Sequence, residues 1–168
     1  YERREALTAL IEKQSLGPAQ NAAILTTLAD FSGDYERREV LTAISPKLVL
    51  DETGIAAWSK AMAAFHSDYE ARESIAALAK RRELPAAAVA AAIKASGDVH
   101  SDYESRTALS ELAHHVGRSP ELAIAYAHAT ANIHSDYEQR EAITELLKTA
   151  EPDASGFHAL LDAVDNIK

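Results

Sequence analysis

Cysteine is absent from the 168 residues, which excludes disulfides and thiolate metal sites. Aromatic residues are scarce at 6%, although hydrophobic residues as a class reach 47%, much of it Ala. Few large side chains and many small ones suit helices packed closely together. Basic residues are in deficit, 17 Lys and Arg against 26 Asp and Glu, for a net charge of −9. That balance argues against a general nucleic-acid binder, which needs cations to neutralise phosphate, and against docking on anionic lipid. No apolar run approaches the ~20 residues of a membrane span, so direct membrane insertion is not expected. A Gly-rich phosphate loop is missing, and Lys80-Arg81-Arg82 is too short a basic run to signify nucleic acid. Carboxylates are plentiful, but no pair stands out as acid and base, so no catalytic residue and no cofactor are expected. The length is that of one ordinary domain, enough to bury roughly 70% of its unfolded surface.

What the chain does contain is a recurring phrase. His-Ser-Asp-Tyr-Glu stands at His66 to Glu70, His100 to Glu104 and His134 to Glu138, with Ser-Gly-Asp-Tyr-Glu at Ser32 to Glu36. Tyr1, Tyr35, Tyr69, Tyr103 and Tyr137 are spaced 34 residues apart without a gap, and each is followed by Glu and, three residues on, by Arg. Such a period marks a stacked array. The repeats are 1–34, 35–68, 69–102, 103–136 and 137–168 of a single array. Tyr1 begins inside the phrase, and the expectation is a chain cut from a longer one.

Each repeat carries two helical patterns. Ser67, Ser101 and Ser135 have Glu three residues later, the spacing of a capping box in which Ser and Glu satisfy each other's backbone N–H groups. Gly33 replaces Ser in one copy, leaving a weaker cap or a role for Asp34. Apolar residues follow at helical spacing, among them Leu10, Leu41, Ile44, Ile75, Leu109 and Leu147. The second helix starts at Gly17-Pro18, Asp51, Pro85, Ser119-Pro120 and Asp153. Its apolar stripe includes Ile24, Trp58, Ile93, Tyr126, Phe157, Leu161 and Val164. Trp58 shares its repeat position with Ile24, Ala92, Tyr126 and Leu160, which makes it a core residue. Pro46 should end the helix before it near Ser45, and Gly97 should loosen the end of its own. No period-two segment competes. The fold expected is all-α, a right-handed α-solenoid of five αα-hairpin repeats closing a shared core.

The phrase has two readings. As a seam device, Asp34 and Arg38, Asp68 and Arg72, Asp102 and Arg106, and Asp136 and Arg140 are i,i+4 pairs with the acid first. Each Arg flanks the apolar stripe and bonds either its own Asp or one in a neighbouring repeat. As a partner-binding strip, Tyr35, Tyr69, Tyr103 and Tyr137 line up on one edge to grip a protein or peptide, Tyr and Arg being favoured at hot spots. Specificity then falls to the variable residue after Tyr-Glu, which is Arg3, Arg37, Ala71, Ser105 or Gln139, unless these are ordinary surface or seam residues. His66, His100 and His134 stand too far apart, ~10 Å or more along stacked helices, for one ion to bridge them, so no metal site is expected. Charge per repeat runs −2, −1, 0, −2 and −4, and Asp162 and Asp165 on the last helix suggest a polar end cap.

Asp four residues before Arg at the head of an apolar helix resembles the HEAT-like α-solenoids, where such a pair links adjacent repeats. The 34-residue length is that of tetratricopeptide repeats, but their small and aromatic positions are not matched. More narrowly, Ser-Asp-Tyr-Glu with its Arg resembles a repeat of bacterial proteins of largely unassigned role, some attached to membrane peptidases of the BlaR type. The resemblance implies a bacterial source, periplasmic or cytoplasmic. No HExxH motif is present, so no peptidase activity follows. The function expected is a non-enzymatic scaffold for a protein or peptide partner. The alternatives are a structural spacer or regulatory domain without a ligand, and a HEAT-like DNA glycosylase, which would need a basic groove.

Overall fold

The computed structural model describes residues 2–165 and 167. Among them it is all-helical, with ten α-helices and no strand. The chain divides into two compact units, Tyr1–Arg82 and Glu83–Lys168, and the division falls inside the third 34-residue segment.

The N-terminal unit holds α1 (Glu2–Lys13), α2 (Pro18–Leu28), α3 (Asp34–Ile44), α4 (Glu52–Met62) and α5 (Asp68–Ala79). Helix α1 packs on α3, α3 on α5 and α2 on α4, so each helix meets its counterpart in the next pair. As Pro46 requires, α3 stops at Ile44 and gives way to a 3₁₀ turn over Ser45–Lys47. Ile24, Leu25, Leu28, Leu41, Ile44, Trp58 and Ile75 are buried. Trp58 is core as its register demanded, and its indole N–H is enclosed without an acceptor. Asn21, also buried, donates to the Gly17 carbonyl (3.1 Å) and accepts from the Val49 amide (3.2 Å), which fastens the approach to α4 onto α2.

The C-terminal unit holds α6 (Ala86–Gly97), α7 (Asp102–Val116), α8 (Pro120–Thr130), α9 (Asp136–Thr149) and α10 (Ala154–Val164). Here α6 packs on α8, α8 on α10, and α7 on α9. Helix starts follow the chemistry of their first residues. Ser119 accepts from Leu122 N at 3.3 Å and Asp153 from Gly156 N at 2.9 Å; Asp51 in the other unit caps α4 through Gly54 N at 2.7 Å. Gly97 is the last residue of α6, and a Cβ there would stand 3.1 Å from Ala129 Cβ. Gly156 serves α10 the same way, its missing Cβ making room for Ala123.

Two expectations about the ends are corrected. Leu10 in α1 is about half-exposed. So are Leu147 in α9 and Phe157, Leu161 and Val164 in α10, between 41% and 50%. The last helix pair is therefore not a wholly polar cap, although Asp162 and Asp165 are exposed as well.

Candidate functional site: the repeated tyrosine

The phrase opens α3, α5, α7 and α9, with Asp as the first helical residue each time. Ser67, Ser101 and Ser135 cap as expected, each hydroxyl accepting from the Glu amide three residues on. Glu70 and Glu138 are bonded elsewhere than in the reciprocal half of the capping box. Glu70 accepts from Arg38 Nε (2.5 Å) and Glu138 from Arg106 Nε (2.8 Å), each Arg one phrase earlier in the chain. The backbone N–H groups of Ser67 and His66 donate instead to Asp34 Oδ2, at 2.7 and 2.8 Å. Ser135 and His134 donate in the same way to Asp102, at 2.8 and 3.0 Å. Asp thus reaches forward to cap its successor's turn rather than pairing with the Arg four residues on. A carboxylate gains more from two aligned amide donors than from one flexible guanidinium at the surface. Burial works against the Arg38 and Arg106 cations, but bonding to Glu70 and Glu138 outweighs it and raises both above the usual arginine range. In the remaining copies Arg72 pairs with Glu73 and Arg140 with Glu141, while Asp68 and Asp136 open their helices.

Tyr35, Tyr69, Tyr103 and Tyr137 are each about half-exposed, from 49% to 59%. Every ring is backed by the Arg three residues on. The guanidinium carbons of Arg38, Arg72, Arg106 and Arg140 lie 5.0, 4.9, 4.9 and 5.3 Å from the ring centroids. Arg4 also approaches Tyr35, at 5.8 Å. Tyr1 lies outside the described residues. Arg38 and Arg106 are themselves held by Glu70 and Glu138, which leaves the Tyr35 and Tyr103 rings less freedom to lose on binding.

Arg37 and Gln139 do not share the exposure of these tyrosines. Their exposures are 2% and 3%, and Ala71 and Ser105 at the same repeat position are buried too. The second residue after Tyr points into the helix stack. Arg37 donates to the Leu28 and Phe31 carbonyls at the end of α2 (3.1 and 2.5 Å) and pairs with Asp34. Ser105 donates to the Ser96 carbonyl (2.9 Å) and Gln139 to the Ala163 carbonyl (3.2 Å). These residues complete helix ends, whose last carbonyls lack partners of their own. Arg3, by contrast, is exposed with its guanidinium over the Phe31 ring.

Sequence reasoning passed over a second seam contact. Lys47 donates to the Ile11 and Glu12 carbonyls at the end of α1 (2.6 and 3.1 Å), and Arg81 to the Ser45 and Leu48 carbonyls after α3 (3.2 and 2.7 Å). Lys47 and Arg81 are one repeat apart, which is the signal that could have disclosed them. His66, His100 and His134 are exposed in their turns, and it is the backbone of His66 and His134 that bonds to Asp. Among the described residues no group of three or more His, Cys, Asp or Glu could hold a metal ion, and no helix is long and apolar enough to cross a membrane.

A comparison with protein-family models finds no match, and comparisons with curated proteins and with solved structures find none that is significant. The class that sequence and fold define is an all-α protein whose neighbouring-helix packing is that of a helical repeat.

Proposed function

We propose that this chain is a non-enzymatic scaffold, a right-handed α-solenoid of HEAT-like type with five hairpins on a 34-residue period, which binds a protein or peptide partner along its tyrosines. The bacterial Ser-Asp-Tyr-Glu repeat class belongs to the same proposal. One observation carries it: Tyr35, Tyr69, Tyr103 and Tyr137 recur at one helix position, half-exposed, each on an arginine platform. Packing does not demand an exposed tyrosine there, whereas Tyr rings of low conformational entropy are favoured at binding hot spots. The acidic balance of the chain favours partners without strong negative charge.

The test is a displayed peptide library selected against the chain, with binders then measured on a variant carrying Tyr69→Ala, Tyr103→Ala and Tyr137→Ala. The expected outcome is enrichment of binders, at least tenfold weaker on the variant, with helical content and thermal midpoint kept. A second reading, a spacer or regulatory domain without a ligand, draws on the use of Asp34, Arg38, Asp102 and Arg106 in structural bonds. It predicts no enriched peptide, and a variant that differs only in stability.

A further inference from the structure

Two tyrosines in each unit are held in register by bonds on either side of them. In the N-terminal unit Asp34, just before Tyr35, accepts from the Ser67 amide at 2.7 Å. Arg38, three residues after Tyr35, donates at 2.5 Å to Glu70, the residue after Tyr69. In the C-terminal unit Asp102 and Ser135 are joined at 2.8 Å, and Arg106 and Glu138 at 2.8 Å, flanking Tyr103 and Tyr137 in the same way. Helix α3 packs on α5 and α7 on α9, so each pair of tyrosines stands at one level on two adjoining helices. The axes of packed helices lie ~8–10 Å apart, which sets the step from one tyrosine to the next. All four are half-exposed, in α3, α5, α7 and α9 alike, so the exposure belongs to the position in the repeat.

What can lie across such a pair is limited by the residues around it. The third residue after each tyrosine is Arg, and the fourth is Glu39, Glu73, Thr107 or Glu141. An amphipathic helix lays an apolar face into an apolar groove, and these polar neighbours do not make one. A peptide that adds as a β-strand needs a sheet edge, and there is no strand among the described residues. A phosphorylated or acidic peptide needs open guanidinium groups. Here Arg38 is bonded to Glu70, Arg72 to Glu73, Arg106 to Glu138 and Arg140 to Glu141. A surface whose cations are each matched by a carboxylate is complementary to a segment without charge.

We infer that the occupant is a proline-rich segment in the polyproline II conformation, lying across Tyr35 and Tyr69 or across Tyr103 and Tyr137. The inference rests on the proposed binding at the tyrosines and names the partner. Three polyproline II residues advance ~9.3 Å, which falls within the ~8–10 Å between packed helix axes. Residues i and i+3 of the segment, on one side of its three-residue turn, therefore meet successive tyrosines. Pyrrolidine rings pack on aromatic ones, as in other aromatic-lined sites for such segments. The segment has no internal hydrogen bonds, so its carbonyls are free to accept from tyrosine hydroxyls. Both sides are stiff before they meet. Proline fixes φ, and Tyr35 and Tyr103 lie against arginines held by Glu70 and Glu138. Little conformational entropy is then lost on binding.

Titration of the full chain with a synthetic oligoproline tests this, beside a Gly-Ser peptide and an Ala-Lys helical peptide of equal length. The oligoproline should bind and the two controls should not. A variant with Tyr35, Tyr69, Tyr103 and Tyr137 all changed to Ala should bind at least tenfold more weakly, with its thermal midpoint kept. A second variant, with the same four changed to Phe, keeps the rings and removes only the hydroxyls. It should bind roughly two- to tenfold more weakly than the wild type. Oligoproline that binds the Ala variant as well as the wild type overturns the inference, because the site is then elsewhere. Equal binding of the controls overturns it too. If the oligoproline fails while proline-free library peptides bind and depend on the tyrosines, this inference falls and the proposed scaffold function stands. If no peptide of any kind binds, both fall.

Discussion

In the N-terminal unit the residue after Tyr-Glu in α3 is Arg37; in the C-terminal unit the residue at that place in α7 is Ser105. Both are buried, and both donate to a carbonyl nine residues back, Leu28 in one case and Ser96 in the other. Arg37 also spans to Phe31, pairs with Asp34 and lies with its guanidinium 5.0 Å from the Phe65 ring centroid. Ser105 makes its one bond with a side chain a fraction of the size. A helix end presents the same chemical demand at each seam, namely carbonyls without donors. It can be met by a long cation that fills space or by a short hydroxyl that lets the backbones approach. The variability of this position reflects how each seam is packed.

The largest effect should come from breaking the charged version. Arg37→Ala removes the donors to two carbonyls and leaves Asp34 without its guanidinium, so urea unfolding should show a loss of about 3–5 kcal/mol. Ser105→Ala should cost only about 1 kcal/mol. Equal losses at the two sites would collapse the distinction between them.

A smaller contrast sharpens the role of Asp. Asp102→Ala strips a carboxylate from the Ser135 and His134 amides and should cost about 1.5–3 kcal/mol. Asp136→Ala, at an exposed site of the last phrase, should stay within about 0.5 kcal/mol. Similar values for both would show that Asp acts on its own helix rather than on the next turn.

The smallest effect is a pH dependence confined to the C-terminal unit. Burial lowers the His114 pKa below the ordinary imidazole range, and His115, with its ring 3.9 Å away, adds to the shift. The unfolded chain takes up this proton near pH 6.5, the folded chain only at lower pH, so the unfolded state binds more protons in between. Stability from this group is therefore full above pH about 6.5, declines as pH falls toward the folded pKa and is level below it. His114→Gln should flatten part of that decline in thermal melts run from about pH 7.5 to pH 5. A parallel decline in the variant would assign the acid sensitivity to other groups.

Much of the secondary structure could be read directly. Ser67, Ser101, Ser135, Asp51, Ser119 and Asp153 start helices as their sequence positions foretold, because a cap involves residues within one turn and its chemistry is local. The break at Pro46 and the burial of Trp58 followed from ring geometry and from repeat register. The seam was less accessible. Asp34 and Arg38 satisfied the local pairing rule, yet their partners are the turn at His66–Ser67 and Glu70, more than thirty residues on. Arg37 and Gln139 looked like surface residues because charge and polarity usually mean solvent, and only the carbonyls placed beside them by helix packing explain their burial.

Spacing and caps, both inscribed in neighbouring residues, were enough to specify where most helices begin and that they come in repeating pairs. Which polar groups meet across a seam, and which apolar positions find cover, was left to the packed chain. The physical reason is reach: a backbone turn is governed by residues three or four apart, whereas a buried Arg or an open Leu161 is governed by whichever helix lies alongside.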